Sequence, residues 1–371
     1  MNKKLFALIS LALVLAMALG ACGSKPAQPA PSQAPASAAE PAPEASGDQP
    51  AAEPELEKTN RLVVYSAGAT DQNEMIQKMW SELHPDIELE VVSAGSGELQ
   101  NRIVAEAGNP QGDVMMGGSY AVYMALEDQL TPYVSPNAAN CLEEFVSKND
   151  KFTAIQINVN TIIVNNAMLK NLGVEVTGWN SLLDEKLKGN IIFADPSSSS
   201  SGREHVVNML AAMNTTGNLD DGWEFVEKYV KNLDGKVSSS SSAIYTGVAN
   251  GEYAVGITNE EKVIQNMVAG ADVSAVYAEE GITLRTSYMG IINGCANEYN
   301  ARLFVDFMTS KEYQQAATDE LYQRSVHKDV AFNVDGIAPT SELNSIEYPT
   351  EWVNANADNL KTKFQDLLTN V

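Results

Sequence analysis

The chain has 371 residues, with 48 acidic against 24 basic side chains and a formal net charge of −24. Nucleic-acid binding needs clustered positive charge, so that balance speaks against a nucleic-acid partner. Three histidines and three cysteines, widely separated and without a CxxC or Cys/His cluster, speak against a zinc site.

The chain opens with "MNKK", a basic start, followed by the apolar run "LFALISLALVLAMALGAC". This is the pattern of a secretory signal over residues 1–21, too short for a transmembrane helix. Leu19-Gly20-Ala21-Cys22 resembles a bacterial lipobox, which implies cleavage before Cys22 and a lipid anchor on its thiol. Residues 22–60 are rich in Pro, Ala, Ser and Glu and nearly free of large apolar side chains, as in a disordered tether. About 310 residues remain, more than one core comfortably organises, so two lobes are expected.

From Arg61 onward strands and helices alternate. "LVVYS" (Leu62–Ser66) is predicted as a strand and Thr70–Leu83 as a helix capped by Thr70 or Asp71. The strand Ile87–Val92, the helix Ser96–Asn109, the strand Asp113–Gly118 and the helix Ser119–Gln129 follow. At Phe152–Asn166 two strand-like runs succeed one another without a helix, as where a chain crosses between lobes. Alternation resumes through the strand "IIFADP", the helix Arg203–Met213 and the strand Tyr253–Thr258, until the extended Glu280–Ile292 crosses back. The C-terminal third is helical. The expected fold is α/β: two α/β lobes with two crossovers and a hinged cleft, lobe 1 from 61–158 plus 283–371 and lobe 2 from 159–282. Trp179 and Trp223 read as core anchors.

Several of these segments agree in order with one family. The lipobox, the tether, "VVYSAGATD", "SAGSGELQNRIVAEAGNPQGDVMMGG", "FMTSKEYQQ" and "RSVHKDV" resemble the solute-binding components of bacterial ABC importers. Within these the chain is similar to the type 2 periplasmic-binding-protein group with ferric-iron-, sugar-phosphate- and aminoethylphosphonate-binding members. The resemblance implies an extracytoplasmic monomer, lipid-anchored to the membrane, that closes on a solute and presents it to a permease. Some such proteins serve a membrane kinase as sensors instead. No Walker motif gives this chain an ATPase of its own.

Four loops close strands or open helices where a cleft would lie: Ser66-Ala67-Gly68, Gly95-Ser96-Gly97, Gly117-Gly118-Ser119, and the serine run ending in Ser198, Ser199, Ser200 and Ser201 before Gly202. Small residues, hydroxyls and backbone N–H groups at helix starts make an anion site. A second run, Ser238–Ser242, leads into a helix with Tyr245, as a cleft wall or as a surface turn. After "VGIT" come Asn259, Glu260 and Glu261, where the resemblance puts a tyrosine pair in ferric-binding members and a polar His/Glu-type pair in sugar-phosphate-binding ones. Asn259 and Glu260 are the expected contacts, and Glu260 with Glu261 the metal ligands if the cargo were iron. Tyr288 lies on the return crossover, as a cleft contact or as hinge packing. Arg203 would meet an anionic ligand or solvent, and His205 packs. No G-x-S-x-G with partner acid and histidine is present, so neither catalysis nor a cofactor is expected. Cys141 and Cys295 could pair, but spacing does not decide it.

Overall fold

The computed structural model describes residues 56–147 and 149–370. The signal peptide, Cys22 and nearly all of the tether lie outside the described residues. None of the described helices is long and apolar enough to cross a membrane.

The first half of the fold is built from β1 (Arg61–Ser66), α1 (Thr70–Leu83), β2 (Glu88–Ser93), α2 (Ser96–Ala105), β3 (Val114–Met116), α3 (Tyr120–Ala125) and β4 (Leu130–Thr131). β5 (Thr153–Asn165) leads out of it into α4 (Asn166–Leu172), β6 (Ile191–Ala194), α5 (Ser200–Met213) and α6 (Trp223–Leu233). There follow β7 (Val237–Ser238), α7 (Ser242–Ala249), β8 (Val255–Asn259), α8 (Glu260–Val268) and β9 (Val273–Val276). β10 (Ile282–Ile292) returns, and α9 (Glu298–Met308), α10 (Lys311–Leu321), β11 (Ser345–Ile346) and α11 (Thr350–Thr369) complete the chain.

β1 pairs in parallel with β2 and β3, and β6 in parallel with β7 and β8. The two groups are joined by the antiparallel pair β5 and β10, giving the order β2-β1-β3-β10-β5-β8-β6-β7. Residues 153–159 of β5 pair with β10, and residues 160–164 pair with β8. The two strand-like runs expected at Phe152–Asn166 are therefore one strand that serves both lobes.

Each lobe has its own core. In the first, Leu62, Ile76, Trp80 and Phe304 cluster on one face of the sheet, and Tyr65, Leu99 and Tyr123 on the other. In the second, Trp179, Phe193, Val206 and Tyr229 pack between sheet and helices. Trp179 and Trp223 are both buried there, as their apolar bulk requires. The sequence assigned residues 283–371 wholly to lobe 1. Leu360 and Phe364 of α11 instead join the cluster of lobe 2, the Phe364 ring 5.6 Å from that of Phe193. An apolar helix stripe packs where an uncovered core face waits, whatever its distance along the chain.

Three helix ends also differ. α1 is capped at Ala69, while Asp71 accepts from its neighbour Gln72 N–H at 3.0 Å. α2 stops at Ala105, short of Gly108 at φ 88°, and α3 ends at Ala125 before a 3-10 turn at Glu127–Gln129.

Candidate ligand-binding cleft

Four parallel-strand ends fix the site: Ser66, Met116 and Ala194 each precede a loop that enters a helix, and Asn259 leads directly into α8. These loops meet around one cavity of about 310 Å³. Ala69 at the start of α1, Ser200 and Ser201 at α5, Ser241 at α7 and Asn259 at α8 all line it. Four helices thus turn their positive ends and unsatisfied N–H groups toward the same space, which favours an anion. Gly117 and Gly118, at φ 84° and 99°, complete this wall; a side chain on Gly117 would press on Ala67 backbone at 3.2 Å.

Of the residues expected to touch ligand, Gly68, Gly118, Ser200, Ser201, Tyr245 and Asn259 line the cavity. Ser66, Ser96, Gly97, Ser119, Ser198, Ser199, Glu260 and Tyr288 are not among its lining. Ser66 is buried, its Oγ donating to Asn73 Oδ1 at 2.7 Å and accepting from Gly68 N–H at 3.0 Å, so it shapes the first loop. Ser96 and Gly97 open α2 away from the cavity; Ser96 Cβ stands 3.3 Å from where a Gly118 side chain would be. Ser119 and Tyr288 face a separate groove beside residues 347–354, and the Tyr288 ring packs on Phe152 at 5.2 Å.

The two serine runs stand side by side because Ala194 pairs with Ser238 on β6 and β7. Ser198 Oγ donates to Ser239 O at 3.3 Å, so it ties the runs together. Ser199 caps α5, its Oγ accepting from Gly202 N–H at 3.1 Å. Gly202 is required there: a Cβ would lie 2.3 Å from Ala194 O. The second run is both turn and cleft wall, since Ser240 and Ser242 bond each other while Ser241 faces the cavity. The roles of the first run should therefore separate on mutation. Ser199→Ala should cost about 1 kcal/mol of stability as a lost cap. Ser200→Ala with Ser201→Ala should leave stability unchanged and weaken anion binding about 10-fold, measured by calorimetry.

The glutamate pair splits. Glu260, 2% exposed, turns away and makes a bidentate pair with Arg324, Nε to Oε2 at 2.6 Å and Nη2 to Oε1 at 2.7 Å. Tyr277 O–H donates to the same carboxylate. Three donors already engage this buried carboxylate, so the ligand contact expected of Glu260 is corrected to a structural ion pair, and its neighbour takes the place in the cavity. Glu261 lines the cavity at 8% exposed, with Asn259 Nδ2 donating to its Oε1 at 3.3 Å. Burial pushes the Glu261 carboxyl above the ordinary range, despite Lys262 beside it. Two carboxylates facing apart cannot chelate one ion. Among the described residues no three His, Cys, Asp or Glu side chains gather as a metal site would require.

Lys262 also lines the cavity but is already engaged. Its Nζ donates across the cleft to Asp71 Oδ2 at 3.0 Å, and Gln265 Nε2 donates to the same oxygen at 3.0 Å. Burial raises the Asp71 carboxyl, but these donors outweigh it and hold it below its ordinary range. This contact between α1 and α8 is present above the usual carboxylate range and lost as pH falls through the lowered one.

The floor of the cavity is made by residues outside those expected to touch ligand. Gln156 and Asn158 of β5 and Ser287 of β10 line the cavity, Asn158 Nδ2 donating to Ser287 Oγ at 2.9 Å. Gln72, Thr258 and Gln323 add further polar groups. The signal was present: Gln156, Asn158 and Asn160 alternate through an otherwise apolar strand, a polar stripe that a buried strand carries only for a purpose.

Arg203 does not line the cavity; half-buried, it donates to Pro196 O at 3.0 Å. His205 is fully buried, Nδ1 3.0 Å from Asn160 Oδ1. Burial, with the Arg285 charge, lowers it to about 3. A histidine buried neutral contributes fully above its unfolded value of about 6.5 and loses that contribution as pH falls toward 3. Thermal unfolding between about pH 6 and 4.5 should show this as a slope of about 1.4 kcal/mol per pH unit, absent in His205→Gln. Cys141 and Cys295 are free thiols, pushed by burial to about 11 and about 12.

The family described as bacterial extracellular solute-binding protein matches residues 65–315. An uncharacterised protein of Haemophilus influenzae is 27% identical, over 69% of this chain and 75% of its own length. A protein of Salmonella typhimurium named as a 2-aminoethylphosphonate-binding periplasmic protein is 24% identical, over 66% of this chain and 71% of its own. Among solved structures, the periplasmic binding protein AfuA of Actinobacillus pleuropneumoniae, with fructose-6-phosphate bound, is 27% identical with a TM-score of 0.74, covering 84% of this chain and 99% of that one. Iron-bound HitA of Pseudomonas aeruginosa shares the fold at 17% identity, with a TM-score of 0.69 over 83% of this chain and 99% of that one.

Proposed function

We propose that this chain, which belongs to the bacterial extracellular solute-binding proteins, captures a small phosphonate or phosphate ester between its lobes and delivers it to the permease of an ABC importer. The leading ligand is 2-aminoethylphosphonate. One observation carries this: four helix starts and a rim of hydroxyls share a cavity with a single buried carboxylate, Glu261. The helix starts suit the phosphonate. A buried carboxylate with one amide partner suits the ammonium group, because a cation repays the cost of its desolvation. The overall charge of −24 does not oppose this, since helix ends set the local field within a closed cleft.

A second reading, a sugar phosphate, is favoured by the polar floor: Glu261, Asn158 and Gln156 suit hydroxyls, and AfuA is the relative with a sugar phosphate bound. Iron is the weakest ligand, because Glu260 is committed to Arg324. Cys22 would carry the lipid anchor, the lobes would divide at the two crossover strands, and the protein would act as a monomer. A sensor for a membrane kinase would use the same cleft and differ only in its partner.

Thermal-shift measurements decide between the ligands, because a ligand that binds only the folded state raises the melting temperature. 2-Aminoethylphosphonate should stabilise most, ahead of fructose-6-phosphate and inorganic phosphate. Stabilisation by ferric ion alone, without effect of any phosphorus compound, would overturn the assignment.

A further inference from the structure

Arg285 stands behind the cavity rather than in its lining. It lies on crossover strand β10, its side chain 14% exposed. Its Nη2 donates to Asn259 Oδ1 at 3.2 Å, and its Nε, buried without a hydrogen-bond partner, lies 4.0 Å from Glu204 Oε2. That same Glu204 oxygen accepts from Tyr348 O–H at 2.6 Å. The chain of contacts continues on the other side through Asn259 Nδ2 to Glu261 Oε1.

We infer that Arg285 is a positioning residue for ligand selection: by holding the Asn259 carbonyl oxygen it turns the amide N–H toward Glu261 and keeps that carboxylate an acceptor for a donor group of the ligand. This rests on the proposed role of Glu261 in the cleft. The physical reason is that a side-chain amide has one accepting and one donating end. A guanidinium only donates, so it can bind only the accepting end of Asn259. Without Arg285 the Asn259 oxygen loses its donor, the amide is no longer held from behind, and its 3.3 Å N–H bond to Glu261 loosens. The buried carboxylate then loses part of what stabilises its charge and takes up a proton more readily. The subsite would become a donor and would select an acceptor on the ligand instead of an ammonium.

Of the charges near Glu261, Lys262 lowers its carboxyl directly while paired with Asp71 of α1, and Glu260 is neutralised by Arg324. Arg285 acts through its bond to the Asn259 oxygen. Tyr245 of α7 shares the cavity wall. On the far side of Arg285, the Glu204 carboxylate of α5 faces the guanidinium at 4.0 Å as a counter-charge, and Tyr348 O–H fixes that carboxylate.

The test uses the whole folded chain with Arg285→Met and Arg285→Lys. In ligand-free protein, carbon-13 NMR titration of the Glu261 carboxyl should show the midpoint about one pH unit or more higher in the Met variant, and near wild type in the Lys variant. Calorimetry should show 2-aminoethylphosphonate bound at least about 10-fold more weakly by the Met variant at pH 7, with the loss shrinking as pH rises. Ethylphosphonate, which lacks the amine, should bind both alike. An unchanged Glu261 midpoint, or equal losses for the two phosphonates, overturns the inference. Failure of the ligand assignment shows separately, as wild-type protein that binds 2-aminoethylphosphonate no better than ethylphosphonate.

Discussion

Glu261→Gln is expected to weaken 2-aminoethylphosphonate binding about 100-fold, since a desolvated charge pair is worth roughly 3 kcal/mol when one partner is removed. Ethylphosphonate should be affected by less than about threefold, because the helix starts that hold its phosphonate are untouched. The same substitution should raise the stability of the ligand-free protein at neutral pH. Burial lifts the Glu261 carboxyl above its unfolded value, so its contribution is complete below about pH 4.3 and is lost as pH rises through the folded value. A neutral amide removes that loss. Stability gained with binding lost is the mark of a residue kept for function. Calorimetry and thermal unfolding of the one variant measure both effects; unchanged affinity would remove Glu261 from the site.

The neighbouring glutamate should behave in the opposite way. Arg324→Met is expected to lower the unfolding free energy by about 3–5 kcal/mol, because it leaves the Glu260 carboxylate buried without its cation. Both side chains are 2% exposed. The guanidinium also donates to Ala338 O at 2.5 Å and Thr340 Oγ1 at 2.7 Å, so its loss frees the segment leading to α11 as well. The thermal midpoint should drop by roughly 10 °C, while affinity measured well below that midpoint stays within a few-fold of wild type. A variant that unfolds like wild type would show that the pair adds nothing. A stable variant that no longer binds would return Glu260 to the site.

Glu260 and Glu261 show where sequence stops being informative. Both are acidic residues in the first turn of α8, which the helix dipole favours equally. They project about 100° apart, because a helix turns once in 3.6 residues. Which of them meets the cavity depends on the roll of α8, and that is set by Val263 and Ile264 packing beneath it and by Arg324 from a distant segment. The serine run is the contrary case. A strand before it and a helix after it place the run at a helix start, so local order locates it in the cleft; that Ser200 and Ser201 line the cavity while Ser198 and Ser199 build the turn and cap is decided by the fold. Ser66 fails the same logic because its hydroxyl finds Asn73 on the next helix before it can reach a ligand.

Local order determined what this chain is: strands and helices in alternation, two extended crossovers, and helix starts rich in small polar residues, all set by periodicity and turn chemistry within a few residues. Tertiary structure decided what each candidate does. The floor of Gln156, Asn158 and Ser287 exists only because β5 and β10 pair across more than a hundred residues of chain. Arg285 acquires its place behind Asn259, and α11 its seat in the second lobe, by the same long-range packing. A side chain's partners are chosen by which surfaces must be buried together, and that choice is made in space rather than along the chain.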